Sequence, residues 1–216
     1  MDAGAQQAFD VSGVEFERSL QSLADDFSKF QQLLIKWQQI QNLVSRETLD
    51  LFWTRHVADS LQILNYTSRE ESFYLDIGSG GGFPAIPLAI ALKESGASFV
   101  LVESNSRKVA FLRAVARELE LNLKVVDERI ENFVSRETVA PQVITARAVA
   151  PLDELLDYAH PAWGEETRAF FHKGREHVEE LAESHIRWHF NVVIRPSLID
   201  QSGVVLEIAN LRPKTG

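Results

Sequence analysis

No cysteine occurs among the 216 residues. Disulfides, thiolate zinc sites, iron–sulfur clusters and cysteine nucleophiles are therefore all excluded. The absence fits a reducing compartment. Long apolar runs are missing too: the longest, Phe83 to Leu92, is far too short to span a bilayer. The opening residues, Met1 to Asp10, have no basic region followed by an apolar one, so no secretory signal and a cytosolic location are expected. Basic charge is scarce. Lys and Arg number 22 against 31 Asp and Glu, for a net charge of −9. A nucleic-acid binder usually carries a basic footprint, and the global balance argues against one. Locally a basic island exists, with Arg107, Lys108, Arg113 and Arg117 and no acid between Asn105 and Arg117. Such an island can guide a polyanion on an acidic body. What is present is ordinary for a globular chain, with 45% hydrophobic and 25% charged residues. The length suits one domain, or a domain with an appended lobe.

Residues 14–44 read as helix, because Leu20, Leu23, Phe27, Phe30, Leu34 and Trp37 recur at steps of three and four. The run is too short for a coiled coil, and packing on a body is expected. A second helical stretch is expected from Leu49 to Leu64. From residue 73 short β-rich runs alternate with helical ones: Phe73–Ile77, Phe99–Glu103, Leu123–Asp127, Val143–Ala146, Ala169–His172, Phe190–Arg195 and Val204–Ile208. The clearest helix between them is 105–120, where Leu112, Val115, Ala116 and Leu119 share a face. This alternation predicts an α/β fold with a parallel sheet covered on both faces. Only residues 196–203 separate the last two runs, too few for a parallel crossover. The seventh strand is therefore expected to pair antiparallel with the sixth. The expected organisation is a helical segment, 1–68, packed on a sheet domain, 69–216.

The most informative stretch is Phe73 to Pro87, in which a strand ends at Asp76-Ile77 and runs into Gly78, Gly80, Gly81 and Gly82 before an apolar helix. Glycines here let the backbone bend and approach a ligand closely. The dinucleotide pattern G-x-G-x-x-G fails from Gly78, since its last position is Phe83. A G-x-G-x-x-A match, on Gly80, Gly82 and Ala85, is weak and sits further from the strand. The pattern D-x-G-x-G-x-G, on Asp76, Gly78, Gly80 and Gly82, fits better. An acid at the end of the first strand repels a pyrophosphate and suits a cationic ligand such as S-adenosylmethionine. Glu103 ends the second strand, 25 residues after Gly78. A carboxylate there can accept from both ribose hydroxyls, for either cofactor. After the third strand, Ile130 can pack on an adenine and Glu131 or the backbone can read its amine.

The loop after the fourth strand bears on the methyl acceptor. Exocyclic amine methylation commonly uses an Asn/Asp-Pro-Pro-aromatic loop, where this chain has Thr145-Ala-Arg-Ala-Val-Ala-Pro-Leu152. Pyrimidine C5 methylation needs a cysteine. A ring nitrogen with a free lone pair, such as guanine N7, needs only alignment and exclusion of water. Arg147, at the end of that strand, can grip a phosphate or a base edge, or can be neutralised by Asp76 or Glu131. His56, Asp59 and Ser60 stand at i, i+3 and i+4, so one face of a regular helix holds all three. His185 and His189 lack the acid and third ligand of a metal motif, and no metal is expected. Glu176, Glu179, Glu180 and Glu183 read as a solvated helix face. A small-molecule methyltransferase, a nicotinamide oxidoreductase using the Gly80 frame, and a binding module without turnover remain the alternatives.

Several segments together resemble the RsmG (GidB) family of bacterial small-subunit ribosomal RNA guanine-N7 methyltransferases. They are Asn42-Leu43, Arg55-His-Val-Ala-Asp-Ser60, Leu75 to Leu88, Leu101-Val-Glu-Ser104, Arg107 to Leu112, Thr145-Ala-Arg-Ala148 and His172-Lys-Gly174. The glycine motif marks only the methyltransferase superfamily. The Arg-His-x-x-Asp-Ser, Gly-Phe-Pro-x-Ile-Pro and Thr-Ala-Arg-Ala segments are far more specific. The resemblance implies a Rossmann-like class I S-adenosylmethionine-dependent fold, a mostly parallel seven-stranded sheet with an antiparallel last strand plus N-terminal helices. It implies one guanosine in the decoding-region loop of small-subunit ribosomal RNA as substrate. Gly78, Phe83, Ile130 and Glu131 are then cofactor contacts, joining Asp76, Gly80, Gly82 and Glu103. Arg147 lies at the cofactor–substrate boundary. Arg55, His56, Asp59 and Ser60 lie near the active-site mouth, Lys173 faces the RNA, and Arg107 adds to the RNA surface. No membrane or metal is implied, and one chain is expected to suffice. Val44, Ala85 and Gln142 depart from the family's frequent Thr, Gly and Asp.

Overall fold

The computed structural model describes residues 1–136 and 139–214. One seven-stranded sheet runs through it in the order β3-β2-β1-β4-β5-β7-β6. The strands are β1 (Phe73–Ile77), β2 (Ser98–Glu103), β3 (Leu123–Asp127), β4 (Val143–Arg147), β5 (Arg168–Lys173), β6 (Trp188–Pro196) and β7 (Val204–Pro213). All seven expected strands are present, each within a few residues of its expected bounds. The pairs β1–β2, β1–β4, β2–β3 and β4–β5 are parallel. As expected, β7 turns back antiparallel on β6, with Pro196 opposite Val204. It is also inserted between β6 and β5, antiparallel to both.

Strand residues alternate between two cores, as period-two side chains must. Tyr74, Leu101, Val143, Phe170 and Val205 join one cluster. Leu75, Val102, Ile144, Phe171 and Leu206 join the other. The first cluster is completed by α2 (Leu20–Gln38), α4 (Ala85–Ala91) and α5 (Ser106–Glu118). The second is covered by α6 (Ile130–Val134), α7 (Leu152–Ala159) and α8 (His177–Arg187).

The N-terminal region is more broken than its periodicity suggests. A helix not expected from sequence, α1 (Ala3–Ser12), is capped by Asp2 accepting from the Gly4 N–H at 2.6 Å. Helix α2 then begins after the Ser19 cap and stops at Gln38, short of the expected residue 44. The Gln38 amide ends it. Its oxygen accepts from the Leu43 and Val44 N–H groups at 2.8 and 3.2 Å, and its nitrogen donates to the Val44 carbonyl at 2.9 Å. A side chain thus satisfies a loop where more helix was expected. Leu23, Phe27, Phe30 and Leu34 of α2 are buried, and the Phe30 ring lies 5.3 Å from that of Phe83. The glycine-loop end is therefore buttressed by the N-terminal helix. Buried Arg18, just before α2, locks it to α4 by donating to Asp26 and to the Ile90 carbonyl, both at 2.8 Å.

The stretch expected as helix from Leu49 to Leu64 changes winding. A 3-10 segment (Arg46–Leu51) leads into a π-helical one (Phe52–Ala58), then a single α turn, α3 (Asp59–Leu61), and another 3-10 turn (Gln62–Asn65). Among the described residues, no helix is long and apolar enough to cross a membrane.

Candidate active site

The C-terminal edge of the sheet carries the site. After β1 the chain turns with Gly78 at φ 68° and Gly82 at φ 87°, left-handed values that disfavour other residues. The turn is tied to β2: the Gly78 and Ser79 N–H groups donate to the Val102 carbonyl at 3.0 and 3.1 Å. Glu103 completes the tie. Its carboxylate accepts from the Gly80 N–H and the Asn105 N–H, each at 2.8 Å. Lone pairs remain on both oxygens for further donors.

Three adjoining cavities open here. The first, of about 710 Å³, lies over Gly78 to Gly81 and Phe83 and is walled by Arg46, Arg55, His56, Lys108 and Arg147 among others. No carboxylate lines it, although the chain as a whole is acidic. The second, of about 480 Å³, lies beyond the ends of β4 and β5 and takes in Asp59, His172, Lys173 and Asp200. The third, of about 200 Å³, is lined by Gly78, Glu103, Ile130, Glu131, Val149 and Tyr158. Gly78 borders the first and third, and Arg55, Arg147 and Ala148 border the first and second.

The expected site residues divide among these walls. His56 stacks on Phe83 at 4.6 Å, with its Nε2 3.0 Å from the Thr48 hydroxyl. Burial, aided by Arg147, lowers its pKa to about 4, so the ring is neutral at pH 7. Asp76 lies beneath the loop and lines none of the three cavities. Its Oδ1 accepts from the Thr145 hydroxyl at 2.6 Å, and burial pushes its pKa up to about 7. Gly82 likewise faces inward: a Cβ there would sit 2.5 Å from Ile86. Gly78 is the close-approach position, where a Cβ would meet Val149 at 2.7 Å.

The structure corrects several expectations. His56, Asp59 and Ser60 do not line one cavity, and the winding up to Asp59 is π-helical rather than regular. His56 borders the first cavity and Asp59 the second. Ser60 is fully buried, and its hydroxyl donates to the His56 carbonyl at 2.6 Å. Arg147 pairs with neither Asp76 nor Glu131. It lies 3.3 Å from Asp59 and donates to the Arg55 carbonyl at 3.0 Å. Arg55 in turn pairs with Asp200 at 2.7 Å, and donation from Ser202 together with Arg55 lowers the Asp200 pKa to about 2. Lys173 does not point outward. Its ammonium is buried against Glu180 at 2.5 Å and the Ala150 carbonyl at 2.9 Å. Glu180 is therefore not part of a solvated face. Arg107 is exposed outside all three cavities, and its neighbour Lys108 borders the first.

Sequence reasoning missed Arg46, Thr48 and Lys108 on the first wall, and Val149, His172 and Asp200 elsewhere. Lys108 and His172 sat in stretches already singled out. Asp200, in the β6–β7 turn, carried no local signal. Among the described residues, no group of three His, Asp or Glu side chains is placed to hold a metal ion.

Strand order, the reversed β7, the glycine turn after β1 and the acid ending β2 define a Rossmann-like class I methyltransferase. Solved structures share that fold. The fibrillarin/Nop5p complex superposes with a TM-score of 0.56 at 15% identity, over 71% of this chain and 79% of that one. A mutant of MtNAS in complex with S-adenosylmethionine gives 0.56 at 15% identity, over 87% and 77%. Residues 23–203 match the family model GidB, rRNA small subunit methyltransferase G. Ribosomal RNA small subunit methyltransferase G of Brucella ovis and of Brucella suis are each 45% identical over 193 residues, covering 89% of this chain and 90% of theirs. The chain belongs to this family of methyltransferases.

Proposed function

We propose that the chain transfers the methyl group of S-adenosylmethionine to N7 of one guanosine in the decoding-region loop of small-subunit ribosomal RNA. The observation that carries this reading is that Gly78 lines both the third and the first cavity. The residues fit the cofactor. Ile130 and Glu131 suit the adenine end, Glu103 the ribose hydroxyls, and Gly78 and Gly80 the methionine arm. The close contact of Val149 with Gly78 leaves no room for a Cβ at that point. When bound, the cofactor supplies an electrophilic methyl carbon.

The chain's own residues then need only to orient and enclose. Guanine N7 carries no proton, so transfer requires no general base. This agrees with a first cavity holding no carboxylate and with a His56 whose pKa of about 4 makes it a poor proton acceptor. Arg46 and Lys108 have no carboxylate partner among the described residues and suit backbone phosphates at its rim. The nicotinamide alternative loses support, because Ala85, the position particular to its frame, is a buried packing position.

The test is incubation of the pure protein with labelled S-adenosylmethionine and small subunits or their RNA, with mass-spectrometric mapping. Label on one guanine N7 is expected. Its absence in every ribosomal assembly state would end the reading. Calorimetric binding of NAD in place of S-adenosylhomocysteine would end it equally.

A further inference from the structure

Buried polar atoms without partners are rare and destabilising, and a cluster of them calls for a functional or solvent partner. Among the described residues six such side-chain atoms occur. Four of them, His56 Nδ1, Asp76 Oδ2, Arg147 Nη1 and His172 Nδ1, gather at the C-terminal edge of the sheet. Two of the four, on Arg147 and His172, belong to residues of the second cavity, which the cofactor reading leaves unassigned.

Their hydrogen-bonding characters are opposite and determinate. His172 Nε2 lies 2.9 Å from the Asp59 carbonyl oxygen. A carbonyl only accepts, so Nε2 carries the proton. Burial keeps the ring neutral by lowering its pKa. His172 Nδ1 is thus a bare lone pair, an acceptor. Arg147 Nη1 can only donate; it lies 3.3 Å from the Asp59 carboxylate as an ion pair without making a hydrogen bond, and its N–H groups are left for a further acceptor. Arg147 also borders the first cavity, while His172 does not. With Arg147 lining both cavities and His172 the second alone, the order expected from the cofactor side outward is methyl donor, donor N–H, acceptor lone pair.

Guanine presents the complementary order along one edge: N7, the O6 acceptor, then the N1–H donor. We propose that the second cavity receives the target guanine, with Arg147 Nη1 donating to O6 and His172 Nδ1 accepting from N1–H. N7 is then left facing the first cavity. The N7 lone pair forms the new bond to the methyl carbon as the carbon–sulfur bond breaks, sulfur keeps that electron pair, and the base takes the positive charge. Adenine reverses both contacts, offering an amine at position 6 and a lone pair at N1. A base splayed out of single-stranded RNA is commonly read on this edge. The assignment rests on the guanine-N7 reading above and adds to it the residues that select the base.

The variant His172→Gln tests it. Its amide N–H can still donate to the Asp59 carbonyl, and the Nδ1 lone pair is lost. Substrates are ribosomal RNA with guanosine, inosine or 2-aminopurine at the methylated position. Inosine keeps O6 and N1–H, and 2-aminopurine lacks both. Wild type is expected to methylate inosine within a few-fold of guanosine and 2-aminopurine far more slowly. His172→Gln should lower kcat/KM on guanosine about 10–100-fold with little further loss on 2-aminopurine, so the ratio contracts. Its S-adenosylmethionine affinity by calorimetry should stay unchanged, which a merely structural role would not predict. An unchanged ratio in the variant overturns the proposal. So does wild-type methylation of 2-aminopurine as fast as guanosine, a result needing no variant. Failure of wild type to label unmodified guanosine overturns the underlying reading instead.

Discussion

Gly78→Ala tests the glycine turn quantitatively. Gly78 sits at φ 68°, where an L residue is disfavoured by about 1–2 kcal/mol. A Cβ there would also lie 2.7 and 2.8 Å from the two Val149 methyl groups. Relieving that overlap costs about 1–3 kcal/mol more. The total expected destabilisation is about 2–5 kcal/mol, and each kcal/mol lowers Tm by about 2–4 °C in a chain of this size. The two contributions separate in a double-mutant cycle with Val149→Ala. The double variant should lose the overlap and keep the φ strain, recovering about 1–3 kcal/mol relative to additivity. Gly78 lines both the first and third cavities, and the new methyl displaces Val149 of the third, so S-adenosylmethionine affinity should fall at least about tenfold. Urea denaturation of the four proteins and calorimetric titration supply the measurements. Wild-type stability and affinity in Gly78→Ala, or strict additivity in the cycle, would refute the described geometry.

Three further outcomes are expected. The His56 pKa falls from 6.5 to about 4 on folding, so its contribution is fully present above pH 6.5 and is lost as pH drops toward 4. Wild type minus His56→Gln in urea stability should therefore shrink across that window, by up to about 3 kcal/mol. Asp76 acts oppositely, since its pKa rises from 3.8 to about 7 and its contribution is lost as pH climbs between those values; the difference measurement isolates His56. Arg46→Ala and Lys108→Ala should each weaken RNA binding and reduce the slope of log affinity against log salt by about 0.7–0.9, with the S-adenosylmethionine dissociation constant unmoved; an unchanged slope removes both from the RNA path. Deleting residues 1–38 strips Phe27, Phe30 and Leu34 from a core shared with Phe83 and Phe111. The remainder, 39–216, is expected to lose its cooperative unfolding transition by circular dichroism, and a sharp transition would instead show that residues 39–216 fold unaided.

The parts legible in the sequence are those governed by neighbours along the chain. Strand positions followed from apolar runs that must be covered on both faces, and β7 from a linker too short to cross over. The glycine turn and Glu103 were readable because a backbone requirement and a strand end write themselves into adjacent residues. The insertion of β7 beside β5 was not readable, because a short loop sets the direction of a pairing and leaves the second neighbour open. His56, Asp59 and Ser60 were placed on one face by a 3.6-residue period that the Phe52–Ala58 segment does not obey. Lys173 read as a free cation because Glu180, on the next helix, is not adjacent in sequence.

Chain order alone determined that this is an alternating α/β molecule whose glycine loop follows the first strand, since each such feature is a local compromise between hydrophobic period and backbone freedom. Tertiary structure alone decided which charges are neutralised, which histidine nitrogens are left bare, and that two arginines stand between two cavities. Those properties arise from desolvation and from partners up to 145 residues away, as between Arg55 and Asp200, and no local pattern encodes them.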